Sequence, residues 1–207
     1  YYEECPDSSG VHATNPIKHI TQTWDSTLQR YVFRFDIHID IDDDRGLENV
    51  TDRQRVEIKT YDASPDNMVA SEGQTHTYTW KFMLPAGFKA TSKFCHLHQL
   101  KGYGGDDVGN PLMTLLARKS GEVQYLQVTH YGPGGAAAEI LAQCPLSDFE
   151  GEWVMVTERA TFLHAGSYSV RIVRLRDDKV LLDYSAPTVD IWRDGATAIR
   201  PKYGIYR

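Results

Sequence analysis

Three short stretches, far apart in the chain, place polar, proton-handling residues at every second position. They are Arg53-Gln54-Arg55-Val56-Glu57-Ile58-Lys59, His96-Leu97-His98-Gln99-Leu100-Lys101 and Lys202-Tyr203-Gly204-Ile205-Tyr206-Arg207. Side chains on a strand alternate between faces, so Arg53, Arg55, Glu57 and Lys59 predict one polar face, His96 and His98 a second, and Lys202, Gly204 and Tyr206 a third. A sheet surface that carries guanidinium, imidazole, ammonium and phenol together is unsuited to a hydrophobic core. It reads as a cationic, proton-moving groove, the equipment needed to cut an acidic polymer.

A uronic-acid polymer linked through O4 can be cut by β-elimination: a base removes the C5 proton and an acid protonates the departing O4. The C5 proton is weakly acidic, so the uronate carboxylate must be neutralised for the enediolate to form, and a cation or donor aimed at it is the largest stabilising term. Arg55 offers a planar fork for that carboxylate, with Glu57 on the same face to hold Arg55 or Lys59. Tyr206, beside Lys202, is a candidate acid or base, and His98 a candidate base. His96 and Gln99 can both donate to the carboxylate, yet they project oppositely on an ideal strand, and only a bulge brings His98 and Gln99 to one face. Arg53, Glu57, Lys59, Lys101 and Lys202 form the expected substrate-binding set. Taken singly, each stretch also reads as a solvated strand face, a structural histidine pair or a packed tyrosine; their co-occurrence favours chemistry.

The elements that must position these residues are strands. Arg30 to Asp42 alternates over its whole length and predicts a strand with Phe33, Phe35, Ile37, Ile39 and Ile41 inward. Further strands are expected at 54–61, 75–84, 94–101, 112–119, 122–130, 153–162, 166–174, 179–185 and 201–206. They are separated by turn clusters such as Gly102-Tyr103-Gly104-Gly105 and Gly132-Pro133-Gly134-Gly135. Helical signals are confined to 136–141 and a turn near 15–21. Strands at this spacing without alternating helices predict an all-β antiparallel sandwich or jelly roll with a concave groove, one domain over 1–207.

Composition narrows the function classes. The chain has 207 residues, 41% hydrophobic, with 12 Tyr, 4 Trp and 7 Phe, and it lacks the run of about 18 apolar residues that a membrane helix needs. A net charge of −6 argues against nucleic acid, so attraction for a polyanion must come from a local basic patch. The start at Tyr1-Tyr2-Glu3-Glu4 shows no leader, which leaves a secretory signal absent or already removed. Of three cysteines, Cys5 and Cys144 are the expected pair and Cys95 the buried thiol. Asn49-Val50-Thr51 is a glycosylation sequon.

The histidines at 12, 19, 38, 76, 130 and 164 read as scattered, His38 as exposed, and Asp40, Asp42, Asp43 and Asp44 as a solvated turn without calcium-loop spacing. Asp190 is a candidate oxygen ligand for a metal. No Gly-x-Ser-x-Gly elbow, phosphate loop, His-Glu-x-x-His or Cys-x-x-Cys occurs, and the run from Asp36 to Asp42 lacks the Glu expected of a jelly-roll glycosidase. A noncatalytic carbohydrate-binding module stacking sugars on Trp80, Tyr103, Tyr131 and Trp153 is the main alternative, followed by a structural sandwich.

The residues resemble the fungal glucuronan lyases and, more distantly, the jelly-roll alginate lyases. The resemblance is carried by residues 35–42, 52–60, 96–102 and 202–207, in that order. Arg55-x-Glu57-x-Lys59 looks like the Arg-x-Glu-x-Arg strand of the alginate lyases, and Lys202-x-Gly204-x-Tyr206 like their Lys-x-Gly-x-Tyr strand. Where Gln-x-His would be expected stands His96-Leu97-His98, followed by Gln99, which leaves the carboxylate-neutralising residue open between His96 and Gln99. The resemblance implies a jelly roll, secretion, endolytic cleavage of β-1,4-glucuronan or a related polyuronate by a monomer, a structural Ca2+ and no organic cofactor.

Overall fold

In the computed structural model, which describes residues 1–47, 50–61 and 63–207, two antiparallel sheets face each other. The larger has the order β1 (Tyr2–Glu4), β4 (Arg55–Lys59), β13 (Ala198–Tyr206), β6 (His96–Tyr103), β7 (Met113–Ser120), β8 (Val123–Tyr131), β9 (Ala138–Pro145). The smaller has the order β12 (Val180–Val189), β11 (Gly166–Arg174), β10 (Val154–Thr161), β5 (Thr75–Phe82). Among the described residues, strands β2 (Ile20–Asp25) and β3 (Arg30–Phe35) pair only with each other, as a separate ribbon. The fold is an all-β jelly roll.

Period-two patterning explains the sandwich. Alternate residues of β10 and β11, among them Val154, Val156, Val170 and Ile172, are buried and meet Leu100 and Leu115 of the large sheet. Each such side chain contributes roughly 1.5–3 kcal/mol by leaving water. The opposite face of the large sheet is polar, and the sequence-predicted site residues are distributed between these two faces.

Several local expectations give way to tertiary structure. The alternation from Arg30 to Asp42 ends as a strand at Phe35, and Phe33, Ile39 and Ile41 are exposed rather than inward. The chain turns out because Asp42 is held by His12, His19 and the backbone N–H of His38, and Asp40 takes a left-handed φ of 76°. Residues 138–145 form a strand instead of the helix expected over 136–141, since ladder bonds to β8 outweigh the helix propensity of Ala, Glu and Leu. The turn expected near 15–21 is replaced by a 3-10 turn at Gly10–His12 and the start of β2. Cys5 and Cys144 do not pair: one follows β1 and the other sits in β9, the two outer strands of the large sheet, and all three thiols are free. Asn49 of the sequon lies outside the described residues. Among the described residues, no helix is long and apolar enough to cross a membrane.

Candidate active site

Register sets which side chains share the polar face. Tyr206 of β13 pairs with Arg55 on one side and His96 on the other, and His96 pairs with Leu116, which pairs with Gln127. A second row runs Lys59, Lys202, Gln99, Thr114, Thr129. Residues paired across strands point the same way, so Arg55, Tyr206, His96, Lys59, Lys202 and Gln99 occupy one face although they come from three distant segments.

His98 does not join them. A bulge between His96 and His98 adds a residue to β6 relative to β7, and a one-residue slip exchanges faces. His96 and Gln99 therefore share the groove face while His98 points into the sandwich. There it is fully buried, with Nε2 2.7 Å from Glu158 Oε2 and Nδ1 2.9 Å from the Lys202 carbonyl, and it stacks on Tyr203. The expectation that His98 serves as base is corrected, because no substrate reaches it. The matching irregularity in β13, between Tyr203 and Tyr206, depends on Gly204. Its φ is +142°, and a Cβ there would lie 2.2 Å from the Val56 carbonyl oxygen, so only glycine fits.

Beneath this face lies an ion-pair lattice. Arg55 donates to Asp44 Oδ1 at 2.8 Å and to Glu57 Oε2 at 2.7 Å; Lys202 donates to the same Glu57 oxygen at 3.0 Å, and Gln99 Nε2 to Glu57 Oε1 at 2.5 Å. Glu57 is fully buried, so the expectation that it binds substrate is corrected: it organises the face from beneath. Glu4 of β1 takes Lys59 at 2.8 Å, Lys202 at 2.5 Å and Arg45 at 2.6 Å. Burial pushes the Glu4 carboxyl up, but Lys202 and Lys59 more than offset it and hold it down at about 2. Glu4, Asp44 and Arg45 were absent from the predicted site; Glu4 was legible only as the edge neighbour of Glu57, which requires knowing that β1 pairs with β4.

The open part of the face centres on Tyr206. Its ring lies over the Arg55 guanidinium carbon at 3.6 Å, and Arg53 Nη1 donates to its hydroxyl at 3.2 Å. The His96 ring is 5.8 Å from the Tyr206 ring, and its Nε2 is 3.5 Å from the Tyr131 hydroxyl. His96 Nδ1 is buried without a partner. Burial, reinforced by Lys101, Arg55, Lys202 and Arg118, drives His96 down to about 3, so its imidazole is neutral at physiological pH. Burial, with Lys202 and Arg55 nearby, brings Lys101 down to about 8, while its ammonium donates to the Gly109 carbonyl at 2.7 Å. Alongside, a recess of about 360 Å³ is lined by Tyr2, Glu4, Arg45, Lys59, Tyr61 and Arg200. Arg200 could have been found by extending the alternation of Lys202, Gly204 and Tyr206 one step back; the others come from edges and loops that alternation does not mark.

The aromatic set of the binding-module alternative divides: Tyr131 reaches His96 and Tyr103 packs on Arg200 beside the groove, whereas the two tryptophans lie elsewhere. Trp80 packs inside the sandwich against His98 and Tyr203, and Trp153 is tied to Asp25 at 2.9 Å.

Calcium takes six to eight oxygens. The Asp190 carboxylate instead faces His164 Nδ1 at 3.1 Å, the Trp192 N–H at 3.4 Å and Arg193 Nη1 at 4.0 Å. These neighbours do not fit that ion.

No family model matches the chain, and no curated protein sequence does. Solved structures do. An endo-β-1,4-glucuronan lyase from the fungus Trichoderma reesei superposes with a TM-score of 0.55 at 11% identity, covering 99% of this chain and 83% of that one. The family 7 alginate lyase A1-II', solved as a substrate complex of a double variant, superposes with a TM-score of 0.54 at 14% identity, covering 99% and 82%. The fold is the jelly roll of these lyases. At such low identity the likeness concerns architecture.

Proposed function

We propose that the chain is a polysaccharide lyase that cleaves a 4-O-linked polyuronate, most simply β-1,4-glucuronan, by β-elimination. The observation that carries this reading is the single cross-strand row Arg55, Tyr206, His96, in which a phenol is flanked by guanidinium on one side and a neutral imidazole on the other. Similar architecture in a glucuronan lyase and an alginate lyase supports it.

Tyr206 moves the protons. As a phenolate facing C5 it takes the C5 proton, which leaves the charge on the enediolate; the resulting phenol gives that proton to the departing O4 and is a phenolate again, so the C5–H and C4–O bonds break while a C4–C5 double bond and an O4–H bond form. One residue serving both sites suits a uronate whose C5–H and C4–O lie on the same side, as in the gluco configuration. Arg53 donates to the phenolic oxygen, which carries the negative charge before the first transfer and again after the second, and the Arg55 cation lies under the ring. His96 is neutral and lies at the floor of the row, and its buried, unpartnered ring nitrogen becomes a donor to the substrate carboxylate when the ring turns towards the groove. An anion placed against it favours protonation, so carboxylate binding and charge on His96 reinforce each other. Gln99, committed to Glu57, and Arg55, committed to Asp44 and Glu57, position the row. Lys101 and the recess bearing Arg45, Lys59 and Arg200 hold the carboxylates of neighbouring sugars, with Tyr2 and Tyr61 as stacking surfaces. The substrate is extracellular polysaccharide and the site of action outside the cell.

Glucuronan, alginate and other polyuronates incubated with the protein report elimination directly through ultraviolet absorbance of the unsaturated ends. Growth of that absorbance on glucuronan supports the assignment. Binding without it on every polymer leaves a lectin.

A further inference from the structure

Outside the groove, three histidines read from sequence as scattered meet one carboxylate. His12 sits in the 3-10 turn, His19 precedes β2, and His38 and Asp42 lie in the segment that leaves β3. One ligand atom from each of the four lies within 4.8 Å of all the others. His12 Nε2 is 2.8 Å and His19 Nε2 3.2 Å from Asp42 Oδ1, while His38 Nδ1 is 3.3 Å from both Asp42 Oδ2 and His19 Nε2. We infer that His12, His19, His38 and Asp42 form a closed tetrahedral site for a zinc-type transition-metal ion, structural in role and separate from the elimination chemistry.

The geometry fits the ion. Four ligands at about 2.0–2.1 Å from a tetrahedral centre stand about 3.3 Å from one another, close to the separations here. The donor set of three imidazoles and one carboxylate suits zinc and is wrong for calcium, which seeks oxygens. His19 also carries the outer partner that metal-bound histidines require: its Nδ1 is 2.9 Å from Asp7 Oδ1, and Asp7 is itself held by Lys18 at 2.7 Å. That bond places the proton on Nδ1 and leaves the Nε2 lone pair facing the cluster. Two ring nitrogens, of His19 and His38, point at each other in a site where the His19 and Asp42 side chains are fully buried. A shared cation resolves that opposition and a single proton does so only in part.

The consequence reaches the groove. Gln54 donates to the carbonyls of His38 and Asp42, the Arg55 N–H donates to the Asp43 carbonyl, and Asp44 grips the Arg55 guanidinium. A metal that fixes Asp42 therefore fixes the segment that orients Arg55 under Tyr206.

The test is metal content and spectroscopy of the whole chain, produced in zinc-supplemented medium and purified without chelator. The expected result is one zinc per chain, an intense visible absorption when Co2+ replaces it, and a melting temperature that falls on chelation and returns with zinc but not with calcium. Asp7→Asn should weaken zinc binding roughly 10–100-fold. Because His19 is buried and its loss threatens the fold, the partly exposed His38→Ala serves as the ligand variant: it should stay folded and lose the tetrahedral cobalt spectrum, whereas the distant His164→Ala keeps it. Zinc below about a tenth of an equivalent in the folded wild type, equal rescue by calcium, or a cobalt spectrum unchanged in His38→Ala would each overturn the site.

Discussion

Tyr206 lies between two arginines: its ring rests on Arg55 at 3.6 Å and its hydroxyl accepts from Arg53 at 3.2 Å. The two cations act differently. Arg55 is locked by Asp44 and Glu57 and fixes the ring, whereas Arg53, at the mouth, meets the phenolic oxygen, which is charged before it takes the C5 proton and again once it has returned it. Replacing Arg53 by Met should lower kcat on the order of 10²-fold with a smaller change in KM, as removal of one donor to a developing oxyanion does. Steady-state kinetics on glucuronan check this; a change confined to KM would make Arg53 a binding residue only.

His96 and His98 separate chemistry from architecture. His98→Ala should leave Glu158 short of a partner inside the sandwich and destabilise the fold by roughly 3 kcal/mol, while turnover per folded molecule stays near wild type. His96→Ala should do the reverse. Denaturant melts combined with active-site-normalised rates distinguish the two, and equal kinetic damage from both would contradict the bulge assignment.

Acid should loosen the ion-pair lattice in a defined window. The Glu4 carboxyl is depressed in the folded state, from an ordinary 4.5 to about 2, so the unfolded chain binds the proton more readily. Stability from this group is complete above about pH 4.5 and is lost as pH falls towards 2. Glu4→Gln should flatten that part of the stability profile and cost about 2–3 kcal/mol at neutral pH. Urea melts at pH 3, 5 and 7 measure it.

Lys101 predicts an alkaline effect on binding. Burial and neighbouring cations bring its ammonium down to about 8, so it is charged below that pH and neutral above. KM for polyuronate should rise as pH passes 8, and Lys101→Arg, charged throughout, should remove the rise. An unchanged pH profile in Lys101→Arg would exclude Lys101 from substrate contact.

Alternation made Arg55, Glu57, Lys59, Lys202 and Tyr206 legible, because β4 and β13 pair without slippage over that stretch. It misassigned His98 because an extra residue in β6 is invisible to period-two reading. The same reading carried β3 too far: Phe35 belongs to the ribbon, but beyond it the Asp42 carboxylate takes the His38 N–H four residues away and meets His12 and His19, 30 and 23 residues away. Long-range pairing also hid Glu4, and pairing with the neighbouring β8 turned 138–145 into a strand. Spacing reports local geometry, and both the lattice and the histidine cluster arise from closure.

The central claim is that the Tyr206 hydroxyl transfers the protons. Tyr206→Phe keeps the ring on Arg55 and removes only that oxygen, so the decisive measurement is its rate of unsaturated-product formation on glucuronan beside its affinity for the same polymer. The account predicts a fall in rate of at least about 10³-fold with affinity within a few-fold of wild type. Product formation at near wild-type rate would contradict it.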